Sequence, residues 1–293
     1  MGSVFGFLEV VINSSTSILF GALGILIMQL AGVMNIGAEG MMLIGAFSGV
    51  VGSSITGNVW MGALFALVIT GVTGLVYGFC TITMKANQVV VGIALNIFGE
   101  GITTTLYRMI FGMDSDSTKV DSFHTVGPFN IPVYIGILMV ILLTVFLYKT
   151  KCGLQIRGAG EYPKAIDSVG MNVNRIRYLS VVAGSMIIGL GGAYLSLGDL
   201  SFFTENMVSG RGYIALAAVI FGRYTAVGTW LAVLVFGAGE AMVYRFQAAS
   251  IGVPTQMILM IPYLLTVIAV AAFGHKGNGP AALGIPWSKE EKQ

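Results

Sequence analysis

Three acids fall inside long apolar stretches of this chain: Glu39, Glu100 and Glu240. A carboxylate at the centre of a membrane helix costs about 2.5–3.5 kcal/mol on insertion scales, so each is a candidate for a pathway or a structural contact. Glu39 opens an apolar run, where the positive end of a helix stabilises a carboxylate, and it reads as a capping residue. Glu100 lies mid-run, one helical turn after Asn96. Asn96, Glu100 and Thr103 are therefore candidates for lining a translocation pathway, with a hydrogen bond tying helices together as the equal alternative. Glu240 joins them as a pathway candidate; with Arg245 five residues on, it also reads as one half of an interhelical pair. His124 and His275 fall in loops, far from any metal-ligand partner, and no nucleophile with its base is visible. No catalytic or metal-ligating residue is assigned.

The elements that must hold these side chains follow from composition. Of 293 residues, 56% are hydrophobic, 41 are glycine and only 28 carry a charge (15 Lys+Arg and 13 Asp+Glu). Soluble domains carry about 25% charged residues, so this chain cannot cover a globule with polar surface. Uncharged runs cover 45 residues between Glu39 and Lys85, 27 between Asp121 and Lys149, 21 between Arg177 and Asp199, and 30 between Arg245 and Lys276. About 20 apolar residues cross a bilayer as a helix, which excludes a soluble enzyme, a nucleic-acid binder and a secreted disulfide scaffold. Cys80 and Cys152 imply no disulfide framework. The fold expected is all-α, a polytopic transmembrane bundle with spans at 12–33, 37–54, 59–82, 88–111, 131–148, 178–198, 226–246 and 256–273. A shorter apolar piece, 213–222, reaches only halfway through the hydrocarbon and reads as a half-helix, making eight to nine spans in all. No Lys or Arg precedes the first apolar run, so the first segment is expected to remain as an anchor rather than a cleaved signal peptide.

Loop 149–177 holds Lys149, Lys151, Arg157, Lys164, Arg175 and Arg177, whereas 112–130 holds Asp114, Asp116 and Asp121 against Lys119. Basic loops stay cytoplasmic, which puts 149–177 inside, 112–130 outside and the N-terminus outside. The tail carrying Lys276, Lys289 and Lys292 falls inside if the half-helix region completes one crossing. Gly45 with Gly49, Gly74 with Gly78, and Gly189, Gly191 and Gly192 have the small-residue spacing that lets helices approach closely in lipid. Residues 35–45 and 209–218 both place a charge, Glu39 or Arg211, just before a glycine that opens an apolar helix, a weak internal repeat pointing to a site between two halves. Asp199, Glu205 and Arg211 read as outer-loop residues suited to contacting a partner protein.

Within 149–177 lies Gly158-Ala-Gly-Glu-Tyr-Pro-Lys-Ala-Ile-Asp-Ser-Val-Gly170-Met. Pro163 suits the first helical turn, Glu161 sits near its positive end and Gly170 stops it. A two-turn helix of this kind persists only when packed on something. The segment resembles the coupling helix of ABC-importer permeases, in particular the family serving branched-chain amino acids, simple sugars and nucleosides, whose members carry Gly-Glu-Asn-Pro-x-Ala-Ala. Asn35-Ile-Gly-Ala-Glu-Gly-Met-Met-Leu-Ile-Gly and Gly210-Arg-Gly-Tyr-Ile-Ala-Leu-Ala-Ala resemble two further signatures of that family. The likeness covers about residues 18–275 and is greatest to the nucleoside-type branch, paired with lipoproteins of the basic-membrane-protein type. Tyr162 stands where the family has a capping Asn, and Met28-Gln29-Leu30 replaces a common Glu-Arg pair.

The resemblance implies a type II ABC-importer-like fold: a single transmembrane permease domain over 1–275, with 151–177 as a cytoplasmic loop bearing the coupling helix and 276–293 as a cytoplasmic tail. Gly160, Glu161, Pro163, Ala165 and Gly170 would couple the chain to a separate ATPase subunit. Asn35, Gly37, Glu39, Gly40, Gly210, Arg211 and Gly212 would be the family's structural motif residues. No Gly-x4-Gly-Lys-Ser/Thr loop occurs here, so ATP and Mg belong on that partner and this chain binds no cofactor. The other implied partners are a second, non-identical permease subunit, an extracellular substrate-binding lipoprotein docking on 112–130 and 199–211, and a small polar solute, a nucleoside or simple sugar; nucleic acid is not among them. The expected location is the bacterial cytoplasmic membrane. An ion-coupled secondary transporter using Glu39, Glu100 or Glu240 is the alternative, but it has no need of a helix at 163–170.

Overall fold

The computed structural model describes residues 2–112, 119–248, 257, 260 and 279–288. Ten α-helices order as α1 (Gly2–Leu30), α2 (Ala38–Thr56), α3 (Val59–Gly78), α4 (Gln88–Phe111), α5 (Ile131–Lys149), α6 (Lys151–Glu161), α7 (Pro163–Ser168), α8 (Val173–Tyr194), α9 (Arg211–Phe221) and α10 (Ala226–Ala248). A π turn extends α3 over Phe79–Thr83 and another extends α8 over Leu195–Asp199. A small hairpin, Thr125–Val126 with Phe129–Asn130, precedes α5. Among the described residues seven helices are long and apolar enough to cross a membrane. They coincide with seven of the expected spans; the eighth, 256–273, lies outside the described residues apart from Met257 and Met260.

The core is α1, α2, α3 and α8, crossing at glycines. A methyl group added at Gly24 would strike the Gly184 carbonyl oxygen, one at Gly45 the Gly189 carbonyl, and one at Gly192 the Met42 carbonyl. Backbones this close gain dispersion contact where lipid removes the hydrophobic drive between helices. The Ser17 hydroxyl donates to Gly191 O at 2.9 Å and Ser196 to Ala46 O at 2.9 Å, adding hydrogen bonds across the same crossings. Around this core, α3 exposes Leu64, Val68, Val72 and Leu75, and α5 exposes Leu138, Ile141, Leu142 and Val145, surfaces suited to acyl chains.

Segment 149–177 departs from the expected loop with a single helix. Thr150 accepts a hydrogen bond from Gly153 N at 3.1 Å and caps α6, which runs to Glu161. Then α7 follows with Pro163 at its first turn, and α8 begins at Val173, five residues before the expected 178. Residues 279–288 lie against this basic end: Ala282 N donates to Gly160 O at 2.9 Å and Gly284 N to Gly32 O at 3.1 Å.

Candidate functional site

Two helix beginnings meet inside the bundle. After α1 the chain turns at Gly32, whose φ is +88°. The chain then continues without helix to Gly37: Asn35, fully buried, accepts from Gly37 N at 2.8 Å, while Gln88 and the Tyr77 hydroxyl satisfy the Met34 N–H and carbonyl. The N-cap of α2, Gly37, makes no side-chain cap. Asn96 of α4 does that work from outside: its Oδ1 accepts from Gly40 N at 2.8 Å, and its Nδ2 donates to Ile36 O at 3.0 Å and to the Tyr213 hydroxyl at 2.8 Å.

Glu39 does not cap its own helix. Its carboxylate crosses to α9, where Oε1 accepts from Gly210 N and Oε2 from Gly212 N, each at 2.7 Å. A carboxylate on the free N–H groups of a helix start is a charge-assisted contact reinforced by the helix dipole. Gly210 takes a φ of +89° to turn the chain into α9, and a methyl at Gly212 would press on Glu39 N. The two segments that resemble each other in sequence are thus the two sides of one contact.

Arg211 corrects the expectation of an outer-loop residue. Its side chain is only 12% exposed and its Nε lies 3.3 Å from Oε1 of Glu240, itself 12% exposed. Its Nη1 also donates to Met207 O at 3.2 Å. Glu240 is therefore held in an ion pair between α9 and α10, with Arg211 rather than Arg245. Arg245 instead lies over the Phe7 ring. Thr103 is buried, with its hydroxyl donating to Gly99 O at 2.7 Å within α4.

Glu100 is different. It is exposed on α4, and its carboxylate has no partner among the described residues. Mid-span on a 24-residue helix, it cannot face lipid cheaply, so this face of α4 meets protein or water. Tyr213, 48% exposed with its hydroxyl fixed by Asn96, is a neighbouring feature missed by sequence reasoning, although it begins the half-helix motif. At the far end of α4, Arg108 holds Glu205 through two hydrogen bonds of 2.6 and 2.8 Å. That hydrogen bonding, ahead of Coulomb attraction, keeps the Glu205 carboxyl below its usual range.

At the basic end, α7 is a six-residue helix whose N-cap, Tyr162, makes no side-chain bond, as the missing Asn requires. Met171 N bonds to Ile166 O and Gly170 N to Asp167 O, with Gly170 at φ +80°, a Schellman stop. Pro163 is buried, while Ala165 within α7 and its two caps, Tyr162 (60%) and Val169 (66%), are exposed. Glu161 accepts from Ala281 N at 3.3 Å. Gly160 is buried, and a methyl there would strike the Leu30 carbonyl, so it serves packing between α1 and α6 rather than an outward contact.

A family model described as "Branched-chain amino acid transport system / permease component" matches residues 7–270. The guanosine ABC transporter permease protein NupQ of Bacillus subtilis (strain 168) is 32% identical over 92% of both chains. The nucleoside ABC transporter permease protein NupC of Lactococcus lactis subsp. cremoris (strain MG1363) is 29% identical over 94% of this chain and 95% of its own. Among solved structures, PsaBC from Streptococcus pneumoniae in complex with Fab shares the fold at a TM-score of 0.52 and 17% identity, covering 89% of both chains. The long family match sets aside the ion-coupled alternative. The chain belongs to the branched-chain amino acid transport system / permease component family, as a multi-pass membrane permease subunit of an ATP-binding cassette importer rather than an enzyme.

Proposed function

We propose that this subunit conducts a nucleoside across the cytoplasmic membrane, driven by a separate ATPase that seats on the exposed face of α7. The observation that carries the reading is that exposed surface: Ala165 of α7, with Tyr162 and Val169 at its two caps, is exposed on a helix too short to persist except by packing. On its inner side Ile166 rests on Gly158 of α6. Motion of α7 therefore passes to α6 and, through Gly160 against Leu30 and Gly32, to the end of α1. ATP and Mg are held by the partner, and the basic end faces the cytoplasm.

The substrate class rests on the guanosine and nucleoside permeases among the relatives. A neutral nucleoside needs few charges along its way, which suits a face offering Glu100 and Tyr213 rather than a charged funnel. Facing a second, non-identical permease subunit would take Glu100 out of lipid and enclose the pathway between the two. A substrate-binding lipoprotein delivers the solute at the opposite end, beside Glu205 and the hairpin. Purification with native partners and measurement of ligand-stimulated ATP hydrolysis tests this against a nucleoside, a pentose and a branched-chain amino acid. Stimulation by the nucleoside alone is expected; stimulation by the amino acid alone overturns the substrate reading.

A further inference from the structure

The segment 279–288 is neither helix nor strand, yet it is tied down at closely spaced points. Ala281 N donates to the Glu161 carboxylate, Ala282 N to Gly160 O and Gly284 N to Gly32 O, and Arg177 Nη1 donates to Ile285 O at 2.8 Å. These points belong to the end of α6, the end of α1 and the start of α8. Arg177 is wholly buried, and its second Nη donates to Ala159 O at 3.4 Å. A buried guanidinium costs desolvation; here both Nη atoms donate to main-chain carbonyls while the buried Nε has no partner among the described residues, and the group anchors an otherwise irregular segment. Beyond the anchor, Trp287 and Ser288 close a pocket of about 570 Å3 with Lys85, Asp167, Asn172 and Asn174.

We propose that residues 279–288 are a strap completing the docking platform for the ATPase subunit, and that the pocket beside Trp287 receives a side-chain-sized projection of that subunit. The inference rests on α7 being the coupling segment. The pocket shares Asp167 and Gly170 with that segment, so a partner seated on α7 also reaches Trp287. Its lining of a lysine, an aspartate and two asparagines suits a polar protein group rather than an acyl chain. A tryptophan at the rim is the residue type most enriched among interface anchors.

The test uses the complete transporter in nanodiscs with a photo-crosslinking phenylalanine at position 165, 287 or 60, the last at the opposite end. Crosslinks from 165 and 287 to the ATPase, and none from 60, are expected. A crosslink from 165 without one from 287 overturns the strap and leaves the coupling reading standing. No crosslink from either position, with the ATPase still bound, overturns both. Trp287→Ala, and separately Asn174→Trp to fill the pocket without touching the strap's anchors, should each weaken ATPase binding about tenfold or more. Unchanged binding in both overturns the proposal.

Discussion

Glu39 and Gly212 are joined across 173 residues of sequence by a 2.7 Å hydrogen bond from the Gly212 N–H to the Glu39 carboxylate. With the matching bond from Gly210 N, the first turn of α2 holds the first turn of α9. Glu39→Gln keeps the shape but offers one oxygen and an amide group that points a donor at a donor. Loss of about 1–3 kcal/mol is expected, since bonds to a charged acceptor fall in that range. Thermal unfolding of the detergent-purified subunit reads it; a midpoint equal to wild type would show that the contact does not hold α9.

The Arg211–Glu240 pair calls for a double-mutant cycle. Breaking a buried pair from one side leaves an uncompensated charge, so Arg211→Met or Glu240→Leu alone should cost roughly 3–5 kcal/mol. The double apolar variant, Arg211→Met with Glu240→Leu, should cost less than either single change. Simple additivity of the two single effects would contradict the pairing.

Gly160 and Ala165 separate packing from coupling within one short stretch. Gly160→Ala should destabilise the subunit, because the added methyl meets the Leu30 carbonyl. Ala165→Glu, on an exposed position, should leave the unfolding midpoint within experimental error. Tolerance of Gly160→Ala with an unchanged midpoint would show that the α1–α6 approach is looser than described.

The sequence made the spans legible because apolar run length is a one-dimensional property, and seven helices lie where those runs do. It hid α6 because Gly153, Gly158 and Gly160 within eleven residues lower helix propensity; the same glycines are there for close packing. Arg211 was misread for a different reason. A charge next to a polar loop looks solvent-facing, and only the fold reveals that α9 begins beside Glu240 rather than in an external loop. Asn96 was legible as important, but its three hydrogen bonds make it the cap of α2 and not a free pathway amide.

Glu205 gives a pH signature at the end opposite α7. Arg108 lowers its carboxyl below the ordinary 4.5, so the stabilisation is present above 4.5 and is lost as pH falls through the lower, folded value. Wild type should therefore exceed Glu205→Gln in stability at neutral pH, by a small and salt-sensitive margin for so exposed a pair. The margin should vanish under acid. A margin undiminished under acid strong enough to protonate the carboxylate would assign the effect of the substitution to something other than this pair.

In the proposed mechanism the exposed surface of α7 transmits the partner's ATP-driven motion to the bundle. ATP-dependent nucleoside uptake into proteoliposomes, by the complete transporter carrying Ala165→Glu, tests it most directly. Uptake at least about tenfold below wild type is expected, with the subunit inserted and folded, for a charge placed at the centre of the contact. Wild-type uptake by that variant, or uptake persisting in preparations from which the ATPase is absent, would contradict it.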